Sequence, residues 1–237
     1  MQILYGTGNP GKLGVMKRRL SGLDLEVKGP EEWGIGLLPV EETGETLMEN
    51  ARLKAKAYYE AYRIPVFSCD TAICFQEEGF PKELQPGIYT RRAGGRALSD
   101  EEMIAYYLGL VKTYGNLTAQ YKNAVCVYLD EAHVYECGDA SLWGRPFLLT
   151  GELHKMYQPG FPLDGLSVEV KSGRAYYDLP QNTRDEIAIG EGIRDFFQEL
   201  LQAMKKMECG KEGLDGENNK MGVGGVTQKT ASGEVLG

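Results

Sequence analysis

The 237-residue sequence has little histidine, no long apolar run and no paired cysteine motif. Its two histidines, His133 and His154, belong to no metal-binding pattern, and its five cysteines are odd in number without a C-x-x-C pair. A structural zinc site or a disulfide framework is therefore not expected. No run of about 18 apolar residues is present, and the N-terminus lacks the features of a signal peptide. We predict a cytoplasmic protein with reduced thiols and no membrane partner.

The sequence also lacks an excess of basic residues. Its net charge is −8, from 26 Lys and Arg against 34 Asp and Glu, so a general nucleic-acid binder is not expected. The hydrophobic fraction of 42% is ordinary for a globular chain. Residues 208–237 contain eight glycines and almost no large apolar side chains. We predict one domain over 1–207, of one or two closely packed lobes, and a disordered tail over 208–237.

The apolar periodicity alternates between strand and helix. Residues 2–5 and 123–129 read as strands, and Pro65–Ser68 reads as a strand that enters Cys69-Asp70-Thr71. Helices are predicted over 43–63, from Ser99 onward and from about Ile193 onward, and the first two carry Ser/Thr-x-x-Glu capping boxes. This alternation predicts an α/β fold.

A glycine-rich turn, Gly6-Thr7-Gly8-Asn9-Pro10-Gly11, lies between the first strand and a helix that begins near Lys12. Such a turn offers backbone N–H groups and a positive helix end to a phosphate, and Lys12 adds a cation. A tight turn with an exposed lysine explains the same pattern. The turn also fits most of a P-loop, but residue 13 is leucine, where a P-loop needs Ser or Thr for Mg²⁺.

Acidic residues lie in two further segments. Glu41 and Glu42 precede the helix over 43–63, and Asp70 is expected at the end of a strand. Carboxylates at such places hold Mg²⁺ or orient an attacking water. Taken separately, the segments are better explained without a metal: Glu41 and Glu42 as solvated loop charges, and Asp70 as a turn residue.

Together, and in this order, these segments resemble the inosine triphosphate pyrophosphatase family. The resemblance covers residues 2–205 and is most specific in the first ninety. The motifs that carry it are Thr7-Gly8-Asn9-x-x-Lys12, Glu42-Thr43-Gly44-x-Thr46-x-x-Glu49-Asn50-Ala51-x-x-Lys54-Ala55, Asp70-Thr71 and Pro86-Gly87-Ile88-Tyr89.

The resemblance implies a fold with a mixed central sheet flanked by helices, in two lobes with a nucleotide cleft between them. It implies hydrolysis of non-standard purine nucleoside triphosphates to monophosphate and pyrophosphate, with Mg²⁺ as cofactor and a homodimer as the assembly. The site residues that it implies are Thr7, Asn9, Lys12 and Lys54 at the phosphates, with Thr71 beside them, Glu42 and Asp70 at Mg²⁺, Asp70 also as general base, and Phe161, Asp164 and Arg174 at the nucleoside.

Two departures from the family pattern set this sequence apart. Cys69 replaces the acidic residue that the family usually has before the general base. The family's Ser-His-Arg segment, which reads the purine, should fall near residues 187–192, and none of its three residues is present there. Arg184 or Arg194 are candidate substitutes. Two alternatives to the enzyme therefore stay open: a non-catalytic nucleotide-binding relative and a P-loop NTPase.

Overall fold

The computed structural model describes residues 1–93 and 96–217. The helices are α1 Pro10–Arg19, α2 Leu47–Tyr62, α3 Asp100–Tyr114, α4 Gln181–Ala188 and α5 Gly192–Glu217. The strands are β1 Gln2–Tyr5, β2 Glu26–Lys28, β3 Val66–Phe75, β4 Arg92–Ala93, β5 Arg96–Ala97, β6 Leu117–Tyr128, β7 Val134–Cys137, β8 Phe147–Leu149 and β9 Ser167–Glu169. Residues Met1–Gln198 form one compact unit that contains the whole sheet.

The central sheet is mixed. Its strand order is β2-β1-β3-β6-β8-β9, and β7 also pairs with β6. The strand β1 runs parallel to β2 and β3, whereas β3 and β6 form a long antiparallel ladder from Val66↔Tyr128 to Phe75↔Ala119. The helix α2 packs on β3 and β6, and α4 contacts α1 and β6. The predicted mixed sheet flanked by helices is confirmed.

Two apolar clusters lie at opposite ends of the β3–β6 ladder. At the start of β3, Val66 packs with Leu4 and Tyr58. At its end, Ile73 and Phe75 join a larger cluster that also includes residues of α3 and β8. The buried polar residues of β3, Ser68 and Asp70, lie between the two clusters.

An opening in the sheet lies beside the middle of β3. The strand β1 ends at Tyr5 and pairs with β3 only at Val66 and Phe67. Farther along, Ile73 forms an isolated bridge to Gly87. Among the described residues, no strand pairs with residues 68–72 on this side. This gap leaves room for a cleft at the sheet edge, next to Asp70.

Two sequence predictions need comment. Asp70 lies in the middle of β3 rather than at a strand end, because pairing with β6 keeps all ten residues of β3 extended. The predicted boundary between 207 and 208 falls inside α5, which continues to Glu217. Residues 218–237 of the predicted disordered tail lie outside the described residues, so that part stays a prediction.

The described helices include no segment that is both long and apolar enough to span a bilayer.

Candidate active site

A cleft of about 920 Å³ opens at the gap beside β3. Nine of the ten site residues predicted from the sequence line it: Thr7, Asn9, Lys12, Glu42, Lys54, Asp70, Thr71, Phe161 and Asp164. They come from four separate parts of the chain, namely the β1–α1 turn, the segment around α2, the middle of β3 and the segment after residue 157. The fold therefore brings the predicted motifs to one place.

The β1–α1 turn is ordered by its own side chains. Asn9 caps α1, because its Oδ1 accepts hydrogen bonds from the backbone N–H groups of Gly11 at 2.9 Å and Lys12 at 3.1 Å. The N–H of Asn9 in turn donates to Thr7 Oγ1 at 3.1 Å. The two helical N–H groups expected for a phosphate are thus already bonded. For binding a phosphate, the turn still offers the positive end of α1 and the side chains of Lys12 and Thr7 as donors.

Lys54 joins two carboxylates that are far apart in sequence. Its Nζ lies 2.7 Å from Asp70 Oδ1 and 2.9 Å from Glu42 Oε1. Burial by itself lowers the pKa of Lys54, but Asp70 and Glu42 outweigh burial and raise it. Burial likewise acts to raise the pKa of Glu42, and Lys54 overcomes it, so that this pKa is lowered. Lys54 and Glu42 therefore both favour their charged forms.

The loop that carries Glu42 is fixed to α2. The backbone N–H of Gly44 donates to Oδ1 of the buried Asn50 at 2.9 Å. A Cβ at position 44 would lie 2.7 Å from this oxygen and 2.7 Å from Cβ of Glu49, so only glycine allows the approach. Thr46 and Glu49 form the predicted capping box at the start of α2. Together these contacts place Glu42 opposite Asp70.

Asp70 points to one face of the sheet, and its neighbours Cys69 and Thr71 point to the other, as alternation along a strand requires. Asp70 contacts Lys54 of α2, whereas Thr71 Oγ1 accepts from Lys12 Nζ of α1 at 3.2 Å. Burial lowers the pKa of Lys12, and the positive charge of Lys54 lowers it further. The open sheet edge thus exposes two lysines, one from each face, to the same cleft.

Cys69 is buried beside these groups. Burial raises the pKa of its thiol to about 11, so the thiol is protonated at neutral pH. A protonated thiol is neither a strong nucleophile nor a ligand that Mg²⁺ prefers. Cys69 therefore adds no negative charge where the family usually has an acid.

The far end of the cleft has fewer fixed contacts. The Phe161 ring packs on the first turn of α1, where a Cβ on Gly11 would lie 2.1 Å from its Cζ. Asp164 is 8% exposed, and burial raises the pKa of its carboxyl to about 7, although Arg184 acts against this shift. The Nε of Arg184 is buried and has no hydrogen-bond partner among the described residues. This end holds a weakly acidic carboxyl and an unsatisfied donor.

Arg174 is the predicted site residue that the structure does not bring to the cleft. This side chain is exposed, donates to the carbonyl oxygen of Asp178 and does not line the cleft. Of the two proposed substitutes for the missing Ser-His-Arg segment, Arg184 lines the cleft, whereas Arg194 donates to the carbonyl oxygen of Ser21 at 2.7 Å. Sequence spacing did not distinguish these three arginines, since their positions depend on how the segments after β9 fold back.

Some cleft residues were missed by the sequence analysis. Arg92 lines the cleft, and its charge contributes to the lowered pKa of Glu42. Asn123 lies opposite Thr71 across the β3–β6 ladder. The strand pattern around Asn123 gave a signal, because a buried polar residue in an apolar strand needs a partner.

The site does not match a P-loop NTPase. A P-loop NTPase also needs an acidic residue at the end of a strand beside the nucleotide, but Asp130 and Glu131, which follow β6, are exposed and do not line the cleft. Asp130 binds His133, and Glu131 pairs with Arg63. The P-loop alternative is therefore not supported.

The donor set suits a hard divalent cation. The described residues contain no group of three or more His, Cys, Asp or Glu side chains that could enclose a metal. Glu42 and Asp70 nevertheless already share one cation, the ammonium of Lys54. Mg²⁺ commonly takes one or two carboxylates and completes its shell with water and substrate phosphates. These two carboxylates fit that mode of binding.

A cleft of this kind, with lysines and carboxylates beside a capped helix start, is typical of α/β proteins that bind phosphorylated nucleotides. The family model of the Ham1 family matches residues 3–169, and the chain belongs to this family. The resemblance drawn from the sequence motifs is thereby confirmed.

Curated relatives carry a common name. The dITP/XTP pyrophosphatase of Leptospira interrogans is 28% identical over 205 residues, which cover 86% of this chain and 97% of the relative. That of Aquifex aeolicus is 37% identical over 137 residues, which cover 54% of this chain and 64% of the relative.

Solved structures share the fold. The Ham1 protein of Staphylococcus aureus has a TM-score of 0.57 at 24% identity, covering 88% of this chain and 100% of that one. A HAM1 protein from Coxiella burnetii has a TM-score of 0.61 at 20% identity, covering 87% of this chain and 99% of that one.

Proposed function

We propose that this protein is a Mg²⁺-dependent nucleoside triphosphate pyrophosphatase, which converts a nucleoside triphosphate and water into the monophosphate and pyrophosphate. The observation that carries the proposal is the arrangement of Lys54 between Glu42 and Asp70, with Lys12 at the same opening. Family membership and the names of the curated relatives support it.

Each charged group has a role in this reaction. Asp70 accepts a proton from the attacking water as general base. Lys12 and Lys54 bind the phosphates and stabilise the negative charge on the departing pyrophosphate. Thr7 and Asn9 position the polyphosphate, and Thr71 acts on it through Lys12. Glu42 and Asp70 would hold Mg²⁺, which when bound neutralises phosphate charge and acts as a Lewis acid. Positioning and electrostatic stabilisation supply most of the rate in phosphoryl transfer.

The far end of the cleft would hold the nucleoside. Phe161 offers an aromatic face beside the β1–α1 turn, and Asp164 and Arg184 offer an acceptor and a donor. A donor such as Arg184 suits the 6-oxo group of inosine or xanthine. We therefore propose non-standard purine triphosphates as substrates, removal of such nucleotides from the cellular pool as the role, and a cytoplasmic homodimer as the working form.

A product assay over a panel of nucleotides tests the proposal. The panel contains ITP, dITP, XTP, GTP, ATP and dUTP, each with Mg²⁺, and both pyrophosphate and orthophosphate are measured. Pyrophosphate from ITP, dITP and XTP, stopped by EDTA, is the expected result. Tight binding of one nucleotide without any turnover would instead identify a non-catalytic relative, and release of orthophosphate would contradict the proposed reaction.

A further inference from the structure

Asn123 has a buried amide whose orientation is fixed by two backbone carbonyl groups. It lies on β6 opposite Thr71, and only 2% of its surface is exposed. Its Nδ2 donates to the carbonyl oxygens of Leu142 at 3.0 Å and Ala188 at 3.1 Å. Carbonyl oxygens only accept hydrogen bonds, so they select the NH₂ end of the amide. Oδ1 of Asn123 therefore faces β3.

This orientation determines the direction of the next hydrogen bond. Thr71 Oγ1 donates its single proton to Asn123 Oδ1 at 2.8 Å. The lone pairs of Thr71 Oγ1 then accept from Lys12 Nζ at 3.2 Å. The ammonium of Lys12 has donors and no acceptor, so the reverse polarity is impossible. The backbone carbonyls of Leu142 and Ala188 thus define, through Asn123 and Thr71, where an acceptor is offered to Lys12.

Lys12 has fewer polar partners than Lys54 and therefore depends more on its single hydrogen bond, the one to Thr71. Lys54 has two carboxylate partners, whereas Lys12 forms no ion pair with a carboxylate among the described residues. A long lysine side chain without a partner samples several rotamers, and holding it costs entropy. The hydrogen bond to Thr71 is the polar contact that restricts the Lys12 ammonium in this structure.

Cys69 is compatible with the same orientation. Its Sγ lies 3.9 Å from Asn123 Oδ1, and the protonated thiol is a weak donor to this oxygen. A carboxylate at position 69 has only acceptor oxygens. One of them would face Asn123 Oδ1, another acceptor, with no hydrogen bond between the two. The thiol and the amide orientation are therefore consistent with each other.

We propose that Asn123 is a positioning residue, which orients the Thr71 hydroxyl so that the Lys12 ammonium is held in place for the polyphosphate. The proposal rests on the proposed function, in which Lys12 binds the phosphate chain.

Binding of pyrophosphate with Mg²⁺, measured by calorimetry, tests the role of Asn123 without requiring turnover. Asn123→Ala and Thr71→Val are each expected to weaken binding about ten-fold, as loss of one hydrogen bond to a charged group predicts. Thr71→Ser keeps the hydroxyl and should bind much more tightly than Thr71→Val. The matched control is Gln120→Ala, because Gln120 also lies on β6 and donates its amide to a loop carbonyl, that of Gly144 at 2.8 Å. It should bind as the wild type does.

A Lys12→Met background separates positioning from a merely structural role. In this background Asn123→Ala and Thr71→Val are expected to cause no further loss, because the group that they position is gone. An equal ten-fold loss in both backgrounds would overturn the proposal, as would a wild type that does not bind pyrophosphate. If Asn123→Ala does not fold, Thr71→Val decides the question alone. Pyrophosphate release from ITP is measured separately, so failure of the proposed reaction is seen independently.

Discussion

The two ends of the cleft differ in how their charged groups are held. At the end of the cleft that we propose binds the phosphates (the phosphate end), Lys54 binds Glu42 and Asp70 at 2.9 and 2.7 Å. Against the effect of burial, these contacts raise the pKa of Lys54 and lower that of Glu42. At the nucleoside end, Asp164 has a pKa raised to about 7 by burial, and Nε of Arg184 has no hydrogen-bond partner among the described residues. The phosphate end is already arranged for its chemistry, whereas the nucleoside end retains unsatisfied groups.

This difference suggests a division of roles. Preorganised charges act where negative charge develops during the reaction. Unsatisfied donors and acceptors act in selection, because a ligand that satisfies them avoids a desolvation cost that another ligand must bear. We therefore expect substitutions at the phosphate end to change the rate for all substrates. Substitutions at the nucleoside end should change the choice of base.

The largest effect is expected from Asp70→Asn. The amide keeps the size of the side chain and loses the general base, so kcat should fall by about 10²–10⁴-fold for every active nucleotide. Steady-state pyrophosphate release measures this, and circular dichroism confirms folding. Full activity in this variant would remove Asp70 from the mechanism.

A smaller effect is expected from Glu42→Gln, with Glu41→Gln as its matched control. Glu42 lines the cleft and contacts Lys54, whereas its neighbour Glu41 is exposed and does not line the cleft. The Mg²⁺ concentration for half-maximal activity should rise at least about ten-fold for Glu42→Gln, since even indirect partners of a metal contribute that much. Equal behaviour of the two variants would contradict the proposed metal site.

Arg184→Ala tests the nucleoside end, with Arg174→Ala as the control outside the cleft. Loss of a buried donor to the base should lower the ratio of kcat/KM for ITP over ATP about ten-fold, which corresponds to a hydrogen-bond loss of about 1–3 kcal/mol. Competition assays with both nucleotides measure the ratio. A change of similar size in Arg174→Ala would break the assignment of base selection to Arg184.

The smallest effect concerns stability and pH. Because burial raises the pKa of Asp164 to about 7, the folded state holds a proton that the unfolded state, with an ordinary pKa near 4, releases. The contribution of Asp164 to stability is therefore fully present below about pH 4 and is lost as the pH rises to about 7. Asp164→Asn should lose less stability between pH 5 and pH 8 than the wild type does.

Thermal unfolding at these two pH values measures the difference between Asp164→Asn and the wild type. We expect at least about 1 kcal/mol, or about 2–4 °C in Tm. A parallel decline in both proteins would show that Asp164 is ionised throughout.

Much of the fold and of the phosphate end was predictable from local sequence. The capping boxes at Thr46 and Ser99 lie directly before α2 and α3, because the side chains that bond the first N–H groups are encoded within four residues. The helix predicted over 43–63 nevertheless begins later, at Leu47. Thr7, Asn9, Lys12 and Glu42 lie at or just before the starts of α1 and α2, so their order along the chain was informative.

The nucleoside end was less predictable. Arg174, Arg184 and Arg194 are all single arginines in polar surroundings, and only the return path of the chain after β9 decides which one reaches the cleft. Likewise, Asp70 was expected at a strand end, since the pairing partner that extends β3 lies about 50 residues later in β6. Such long-range pairings leave no local signal.

The sequence by itself determined the capped helices, the glycine-rich turn and the set of charged residues for a polyphosphate, because each depends on neighbours a few residues away. The tertiary structure alone decided that Lys54 lies between Glu42 and Asp70. It also decided that the Asn123 amide accepts a hydrogen bond from the Thr71 hydroxyl, whose oxygen in turn accepts from Lys12. These features require side chains from separate segments to meet at one opening, and that opening exists because β1 ends where β3 continues.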